Sequence, residues 1–251
     1  MAQIDDRIAT YLTALQIEGK SAKTIESYAN SLEDFRRVGK RLGLPDTIEG
    51  YAVEHVYEFL GALQERGASP GYQHRRHREV QTLFSWCQRM GMVEQNVFKR
   101  VPRVKVGERI RPPFTSDDIR LLLDSQDRSR HRGSRNYALI LFLLDTGVRA
   151  SECISIRLED VDWERRRVFV PHAKGQKQRW VGIGDTAASA LRDYVDRFRG
   201  EREGMLFLSR QGEPLTTGNS LRVILRRIGD TVGLAKVHPH RFRHTFATWA
   251  I

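Results

Sequence analysis

Apolar residues recur at every third or fourth position through most of residues 4–96, with polar residues between them. This is the spacing of amphipathic helices, and four stretches show it. Ser21 is a suitable cap for the second, the third precedes the turn at residues 67–70, and the fourth ends at Gly91. The four stripes are Ile4, Ile8, Tyr11, Leu12 and Leu15; Ile25, Tyr28, Leu32 and Phe35; Val53, Val56, Tyr57, Leu60 and Leu63; and Val80, Leu83, Phe84 and Cys87. They predict a compact helical bundle of about 90 residues.

The second half of the chain mixes helical and strand patterns. Thr115-Ser116-Asp117-Asp118 is typical of a helix start, and the nearly continuous apolar run 137–144 predicts a central helix that ends at Gly147. Residues 167–171 and 178–183 read as two strands of a β-hairpin. Further helices are expected at 185–199 and 217–232, and Pro239 suits the first turn of a last one.

Composition narrows the class of protein. The 251 residues suffice for two ordinary domains, and they contain no apolar run of about 18 residues that could span a membrane. The first six residues are polar and acidic, so they do not form a secretory signal. Cys87 and Cys153 lack the spacing of a zinc site, so we expect them to be core residues of a reduced, cytoplasmic protein.

The charge points to a polyanionic partner. The chain has 42 Lys and Arg residues against 31 Asp and Glu, a net charge of +11. Nucleic acid is the natural partner of such a surface, although a solvated basic surface is also ordinary. The same two interpretations apply to the run Gln73 to Arg78, which we place on the side of the fourth helix away from its apolar stripe. Residues 98–113 are basic and contain three prolines, which predicts an extended linker or a strap that crosses phosphates.

Three segments of the second half carry candidate chemistry. Arg149 follows the apolar helix and needs an anion or a carboxylate, which Glu152 could supply as a salt bridge. Lys174 and Lys177 lie at the tip of the predicted hairpin, where a lysine serves either solubility or proton donation. His240, Arg243 and His244 share one face near a helix N-terminus, which favours phosphate. The basic neighbours of these histidines disfavour a metal site.

These segments resemble the tyrosine recombinase family of phage integrases and Xer-type proteins. The matching motifs are Thr146-Gly147-Val148-Arg149-Ala150-Ser151-Glu152, Ala173-Lys174-Gly175-Gln176-Lys177-Gln178-Arg179 and His240-Arg241-Phe242-Arg243-His244-Thr245-Phe246-Ala247-Thr248. Residues 21–28 and 83–86 resemble the family's core-binding domain more loosely. The resemblance therefore covers nearly the whole chain.

The resemblance implies a mainly α fold with a small β-sheet. We expect an N-terminal helical, SAM-like core-binding bundle at residues 1–97, the basic linker at 98–113, and a mixed α/β catalytic domain at 114–251. The implied partner is a double-stranded DNA recombination site, with a homotetramer of the full-length protein on paired sites. The family needs neither a metal nor a nucleotide cofactor. Because no segment precedes the first predicted helix, we expect no separate arm-type DNA-binding domain of the kind that some larger integrases have.

The resemblance also implies roles for individual residues. Arg149 and Arg243 would hold the non-bridging oxygens of the scissile phosphate, which is chemically sound because preorganised cations stabilise the charge of a phosphoryl transition state. Lys174 would protonate the leaving 5′ oxygen, and His240 would deprotonate or position the nucleophile. Further contacts to DNA are expected from Thr24, Tyr28, Arg75, Arg76, Lys177 and Arg179.

The sequence departs from the family pattern at its end. The family's second His or Trp and its nucleophilic Tyr follow some tens of residues after the position of Arg243, whereas this sequence stops at Ile251. All seven tyrosines precede Arg243, and none matches the nucleophile. We therefore expect a recombinase fragment that binds DNA without cleaving it. The alternatives are a non-catalytic DNA-binding regulator or architectural protein derived from the same fold, and a type IB topoisomerase.

Overall fold

The computed structural model describes residues 3–107, 112–171, 178–215 and 217–249. The chain divides into two compact units, residues 1–109 and 110–251, so the division lies within the predicted linker. Helices dominate both units, and a single small sheet occurs among the described residues. The mainly α fold with a small β-sheet is therefore confirmed.

The described part of the first unit is helical. Ser21 caps the second helix by accepting a hydrogen bond from the backbone of Thr24 at 3.2 Å, and Gly43 ends that helix in the left-handed conformation with φ 68°. Ser69 caps the fourth helix, which has Pro70 in its first turn. The elements are α1 (Ile4–Ile17), α2 (Ala22–Leu42), a 3₁₀ turn (Ile48–Gly50), α3 (Val53–Glu65), α4 (Pro70–Arg89) and α5 (Val97–Arg100).

Aromatic side chains fill the centre of the first unit. Phe35 of α2 is fully buried, and its ring centroid lies 5.4 Å from that of Tyr51, 5.0 Å from Phe59 and 5.8 Å from Phe98. Edge-to-face pairs of this kind add to the stabilisation from burial. Three of the four predicted stripes face this core in full, whereas Tyr57 of α3 is 55% exposed. The face of α3 that packs against the core is formed by other residues of the helix, among them Val56, Phe59 and Leu60.

The segment predicted to be an extended linker begins as part of this core. Asn96 caps α5 by accepting a hydrogen bond from the backbone of Phe98 at 3.0 Å. Phe98 and Val101 are buried, and the ring of His77 is bonded to the carbonyl of Phe98 at 3.0 Å. Because an apolar side chain gains most when it leaves water, Phe98 belongs to the bundle. The described stretch without regular structure starts only after Arg100.

The second unit contains a three-stranded antiparallel sheet beside its helices. The strands are in the order β1-β2-β3, with Val161 paired to Val168 and Val168 to Val181. The hairpin of β2 and β3 is as predicted, whereas the two-residue strand β1 was not. The elements are α6 (Ser116–Asp124), α7 (His131–Thr146), α8 (Ala150–Ser155), a 3₁₀ turn (Leu158–Asp160), β1 (Val161–Asp162), β2 (Arg167–Val170), β3 (Arg179–Gly182), α9 (Asp185–Tyr194) with a π turn (Val195–Arg199), α10 (Gly218–Thr231) and α11 (Pro239–Trp249).

Helix α7 forms the centre of the second core, as its apolar run predicts. Ala138, Leu139, Ile140, Phe142 and Leu143 are all fully buried. Helices α9 and α11 both pack against it. The end of α7 is therefore held in a fixed place relative to α11.

Two further observations bear on the class of protein. Cys87 and Cys153 are free and buried, so they are core residues as predicted. No helix among the described residues is long and apolar enough to cross a lipid bilayer.

Candidate active site

The end of α7 forms a tight turn that only glycine fits. Thr146 donates a hydrogen bond to the carbonyl of Phe142 at 2.6 Å, and Gly147 then adopts φ 55°. A side-chain Cβ at Gly147 would lie 2.3 Å from a ring carbon of Phe246. Both the positive φ and the close approach of the ring require glycine here. The turn brings the chain directly into α8.

Arg149 and Glu152 close the first turn of α8. The Glu152 carboxylate accepts a hydrogen bond from the Arg149 backbone at 2.9 Å and another from its Nη1 at 2.9 Å. The side chain of Glu152 is 1% exposed, whereas that of Arg149 is 38% exposed. The predicted salt bridge is therefore present, and it leaves the Arg149 side chain accessible.

A second arginine shares the same carboxylate. Arg179, the first residue of β3, donates from Nη2 to Glu152 at 2.9 Å and from Nη1 at 3.4 Å. Burial opposes ionisation of Glu152, but the hydrogen bonds from Arg179 and Arg149 outweigh it and lower the pKa of the carboxyl to about 2. Glu152 is thus a buried anion that connects the root of the hairpin to α8. Sequence reasoning missed this link, because no local pattern connects residues 152 and 179.

Arg243 reaches the same turn from α11. Its Nη1 donates to the carbonyl of Gly147 at 2.6 Å, and its side chain is half-buried. Gly147 is two residues before Arg149, so the Cα atoms of Gly147 and Arg149 are at most about 8 Å apart. The structure therefore brings Arg149 and Arg243, which are 94 positions apart in sequence, to one turn.

His240 lies in the first turn of α11 and is exposed. It precedes Arg243 by three residues, about 4.5 Å along the helix axis, and so shares its face. The neighbouring Arg241 points elsewhere: it donates to the carbonyl of Pro112 at 3.2 Å and stacks on the ring of Phe114 at 4.0 Å. Arg241 thus fixes the start of α11 to the beginning of the second unit.

The two hairpin lysines, Lys174 and Lys177, lie outside the described residues. The pairing of Val170 with Arg179 fixes the last described step of the hairpin ladder. Since Arg179 also binds Glu152, the start of β3, two residues after Lys177 in sequence, is adjacent to α8. Their assigned roles stay predictions.

The predicted DNA contacts of the first unit occupy different environments. Thr24, in the first turn of α2, has its hydroxyl 2.8 Å from that of Ser21. Tyr28 is half-buried, with its ring 6.1 Å from that of Tyr11. Arg75 is exposed, and no ion pair involves it among the described residues. That these residues contact DNA stays a prediction.

The basic run of α4 does not all face outward, contrary to expectation. Gln73 and His77 are buried, and the Arg76 side chain is only 13% exposed. Arg76 Nε lies 3.3 Å from Asp34, and its guanidinium stacks over the ring of Tyr72 at 4.4 Å. Burial of a charged side chain is tolerated here because a carboxylate partner compensates it.

Asp34 is the centre of a buried ionic network between α2 and α4. It accepts hydrogen bonds from Arg66 at 2.9 and 2.7 Å, from Tyr72 at 2.8 Å and from Arg37. Burial opposes ionisation, but hydrogen bonds from Arg66, Arg37 and Tyr72 hold the pKa of Asp34 below its ordinary value. Arg66 and Arg76 are therefore held in place on one side of the bundle.

No group of three or more His, Cys, Asp or Glu side chains in the described part of the chain is placed to hold a metal ion. The functional groups that converge in the second unit are instead guanidinium groups, one buried carboxylate and an imidazole. Such a set suits the binding of a phosphate group.

Solved structures share this fold. A lambda integrase tetramer bound to a Holliday junction superposes with a TM-score of 0.78 and 18% identity, covering 99% of this chain and 73% of that one. The integrase of transposon Tn1549 in complex with transposon right end DNA gives a TM-score of 0.81 and 19% identity, covering 99% and 86%. At this identity the likeness establishes the fold.

Sequence relatives establish the family. Residues 112–251 match the phage integrase family. The chain is 30% identical over 256 residues to the tyrosine recombinase XerC of Bacillus subtilis, covering 99% of this chain and 84% of the relative. It is 32% identical over 257 residues to that of Oceanobacillus iheyensis, covering 99% and 83%. The chain therefore belongs to the phage integrase family of tyrosine recombinases.

Proposed function

We propose that this protein takes part in site-specific DNA recombination, with Arg149 and Arg243 binding the non-bridging oxygens of the scissile phosphate. The observation that carries the proposal is the contact of Arg243 with the carbonyl of Gly147, two residues before Arg149. It supports two guanidinium groups acting on one phosphate. Guanidinium groups present rigid, paired donors to phosphate oxygens, and they need no reorganisation as charge develops in the transition state.

The other catalytic roles follow from the family. Lys174 protonates the leaving 5′ oxygen, and His240 removes or directs the proton of the attacking hydroxyl. The exposure of His240, three residues before Arg243, is consistent with access to DNA. Glu152 orients Arg149 and does not contact the substrate.

The partner in this proposal is duplex DNA. Both similar structures described above are DNA complexes, and one of them is a tetramer. We assign contacts to Thr24, Tyr28, Arg75, Arg76, Lys177 and Arg179, and a tetramer on paired sites to the full-length protein. Because Arg76 and Arg179 are bound to Asp34 and Glu152, they would reach phosphates only with part of their donors. The reaction takes place where the DNA is, in the cytoplasm.

Residues 1–251 on their own are proposed to bind DNA without cleaving it. Two tyrosines belong to the second unit, and neither is placed to attack a phosphate held by Arg149 and Arg243. Tyr194 is buried, and its hydroxyl accepts a hydrogen bond from the backbone of Leu208 at 3.1 Å. Tyr137 precedes Gly147 by ten residues of helix, about 15 Å. These placements support a nucleophile that is neither of the two tyrosines of the second unit.

The first test asks whether Arg149 and Arg243 bind one phosphate. A preferred duplex is selected from random 40-base-pair DNA, and its affinity for the 251-residue chain is measured against salt. Each neutralised phosphate contributes about 0.9 to the slope of log K against log salt. We expect the Arg149→Ala and Arg243→Ala double variant to lose about 0.9 in all, and Arg202→Ala, an exposed arginine of the same unit, to lose none. A loss near 1.8 would mean two separate phosphates.

The second test separates an enzyme from a DNA-binding regulator of the same fold. The selected duplex is given a 3′-p-nitrophenyl phosphate beside a free 5′ hydroxyl. Attack of that hydroxyl on phosphorus breaks the aryl ester bond, joins the strand and releases nitrophenolate, so no tyrosine is needed. A recombinase site should accelerate the release at least about 100-fold, and Arg149→Ala should abolish the acceleration. A regulator would bind the duplex without acceleration.

The claim that these residues do not cleave has its own control. A nicked suicide duplex of the selected sequence traps any covalent protein–DNA adduct. We expect none with residues 1–251. An adduct would refute this claim while leaving the phosphate-binding proposal intact.

A further inference from the structure

A groove lies in the second unit between the start of α7 and α10. Its volume is about 740 Å³, and it is bounded by the start of α7, the loop around residues 209–215 and one face of α10. This volume lies within the range of ligand sites in proteins. Gly133, at the groove, is 14 residues before Gly147 along α7, a distance of about 21 Å. The α7 end of the groove is therefore far from the candidate active site, whereas its α10 end starts at Asn219, next to Gly218, where a Cβ would lie 3.6 Å from Ala150 of α8.

The groove contains a buried arginine without an acidic partner. Arg135 is 6% exposed; its Nε and Nη2 donate to Asn136 at 3.2 and 2.8 Å, and its Nη1 donates to the carbonyl of Leu208 at 2.9 Å. Both acceptors are neutral, and no carboxylate of the described residues pairs with Arg135. Burial, together with nearby Arg132, lowers the pKa of this guanidinium. A buried cation without a counter-charge is costly, and an anionic ligand would offset that cost.

The rim of the groove is positively charged. Arg132, Arg210 and Arg227 line it, are exposed, and form no ion pair within the described part of the chain. Arg130 also lines it but is paired with Asp127 at 3.0 Å, the one acidic residue of the lining. Three rim arginines and Arg135 thus remain uncompensated, which favours an acidic occupant.

The floor of the groove is apolar and elongated. Leu215 and Ile228 are buried, and Val223 and Ile224 are half-buried beside them. The lining positions of α10 run from Asn219 to Thr231, about 18 Å or three helical turns. A small anion would leave the half-buried Val223 and Ile224 partly exposed to water, whereas an amphipathic helix of similar length would cover them.

Duplex DNA does not fit this side of α10. Arg222 and Arg226, both exposed, lie two positions on either side of Ile224, roughly 160° around the helix. They point away from the groove, and an apolar stripe offers nothing to a phosphate backbone. The arginines of α10 therefore divide into two surfaces, Arg222 and Arg226 on one and Arg227 on the other.

We propose that the groove binds an acidic, amphipathic helical segment of a partner protein. Its apolar side chains cover Val223 and Ile224, its outer carboxylates pair with the rim arginines, and one inner carboxylate pairs with Arg135. The proposal does not depend on recombination, since none of its contacts involves Arg149 or Arg243.

Two labelled 14-residue helical peptides test the proposal. One has leucine on one face and glutamate on the other, and the second has lysine in place of glutamate. Fluorescence anisotropy with the 251-residue chain should show binding of the glutamate peptide alone. Arg227→Glu should weaken this binding at least about tenfold, because it reverses a rim charge, whereas the matched variant Arg222→Glu should leave it unchanged.

Three results would overturn the proposal: no binding of the glutamate peptide, equal binding of both peptides, or equal effects of the two variants. Displacement of the peptide by millimolar inorganic phosphate would overturn it in favour of a small-anion site. Duplex affinity is measured on the same variants, and Arg227→Glu should affect it no more than Arg222→Glu does. If the unchanged chain bound the glutamate peptide but no duplex, the proposed function alone would be refuted.

Discussion

Replacement of Glu152 by glutamine isolates the buried anion of the candidate active site. In the native protein both carboxylate oxygens accept hydrogen bonds, from the backbone and side chain of Arg149 and from Arg179. Glutamine keeps the size but carries an amide N–H₂ that faces these donors instead of accepting from them. Glu152→Gln therefore leaves two guanidinium groups without their counter-charge.

The expected magnitude follows from the pKa of the carboxyl. Burial would raise it, but the hydrogen bonds from Arg179 and Arg149 lower it from the ordinary 4.5 to about 2. A lowered folded-state pKa stabilises the folded protein above pH 4.5, and this stabilisation is lost as the pH falls toward 2. At 1.36 kcal/mol per pKa unit, the charge contributes about 3 kcal/mol at neutral pH. Glu152→Gln should therefore cost about 3 kcal/mol at pH 7 and less at pH 3.

Urea denaturation, followed by tryptophan fluorescence, measures the loss of stability at pH 7 and at pH 3. Hydrogen exchange of peptides from residues 112–249 assigns the loss to the second unit. Asp193→Asn is the matched control. Asp193 also pairs with two arginines, Arg128 at 3.5 Å and Arg197 at 3.2 Å, but its side chain is 25% exposed. Since water screens such pairs, this variant should lose less than about 1 kcal/mol.

The reasoning fails if Glu152→Gln costs no more than Asp193→Asn. It also fails if wild type and Glu152→Gln lose the same stability between pH 5 and pH 2. In either case the carboxylate would not be the charge that holds Arg149 and Arg179.

Three further predictions concern other residues. Gly147→Ala should cost about 2–4 kcal/mol in urea denaturation, because it combines a positive φ with a clash against Phe246, and Phe246→Leu in the same chain should restore part of the loss. Asp34→Asn should destabilise the first unit by about 3 kcal/mol, as seen by hydrogen exchange of residues 3–107, because Arg66 and Arg76 lose their partner. Arg75→Ala should lower the salt slope of duplex binding by about one while leaving stability unchanged; an unchanged slope would mean that Arg75 is only solvated.

The helices were predictable because their signals are local. Ser21 and Thr115 cap the helices that follow them, and Gly147 ends α7 in the left-handed conformation. Each signal depends on a few neighbouring residues and on the period of the helix. Strand β1 was missed for the same reason, since two residues are too short to show a period.

The contacts that build the site are not local, and the sequence motifs alone did not reveal them. Arg243 meets a carbonyl 96 positions earlier, and Arg179 meets a carboxylate 27 positions earlier. Family resemblance assigned Arg149 and Arg243 to one site, but it did not show that Glu152 has a second arginine. Such pairings depend on how α8, β3 and α11 pack, and residue types alone do not specify that packing.

The burial of Gln73 and His77 in α4 could have been predicted from the helical period. Gln73, His77, Val80 and Phe84 follow one another at intervals of four, three and four residues, which is one face of a helix. All four are buried. The polar side chains of Gln73 and His77 suggested an outer face, although their position in the helical period correctly indicates the buried face. Gln73 is accommodated because its side chain donates to the carbonyl of Ala68 at 2.7 Å, and His77 by its bond to Phe98.

The net charge of +11 indicated a polyanionic partner but could not show which arginines would bind it. Arg66 is bound to a buried carboxylate, Arg135 lies in the groove at the start of α7, and Arg241 fixes the start of α11. These side chains make internal contacts or lie on another surface, so they are not available to DNA phosphates. The arginines left for phosphates are the proposed pair Arg149 and Arg243, the remaining donors of Arg76 and Arg179, and exposed side chains such as Arg75. The salt slope of duplex binding should therefore be far smaller than the number of basic residues, because only neutralised phosphates contribute to it.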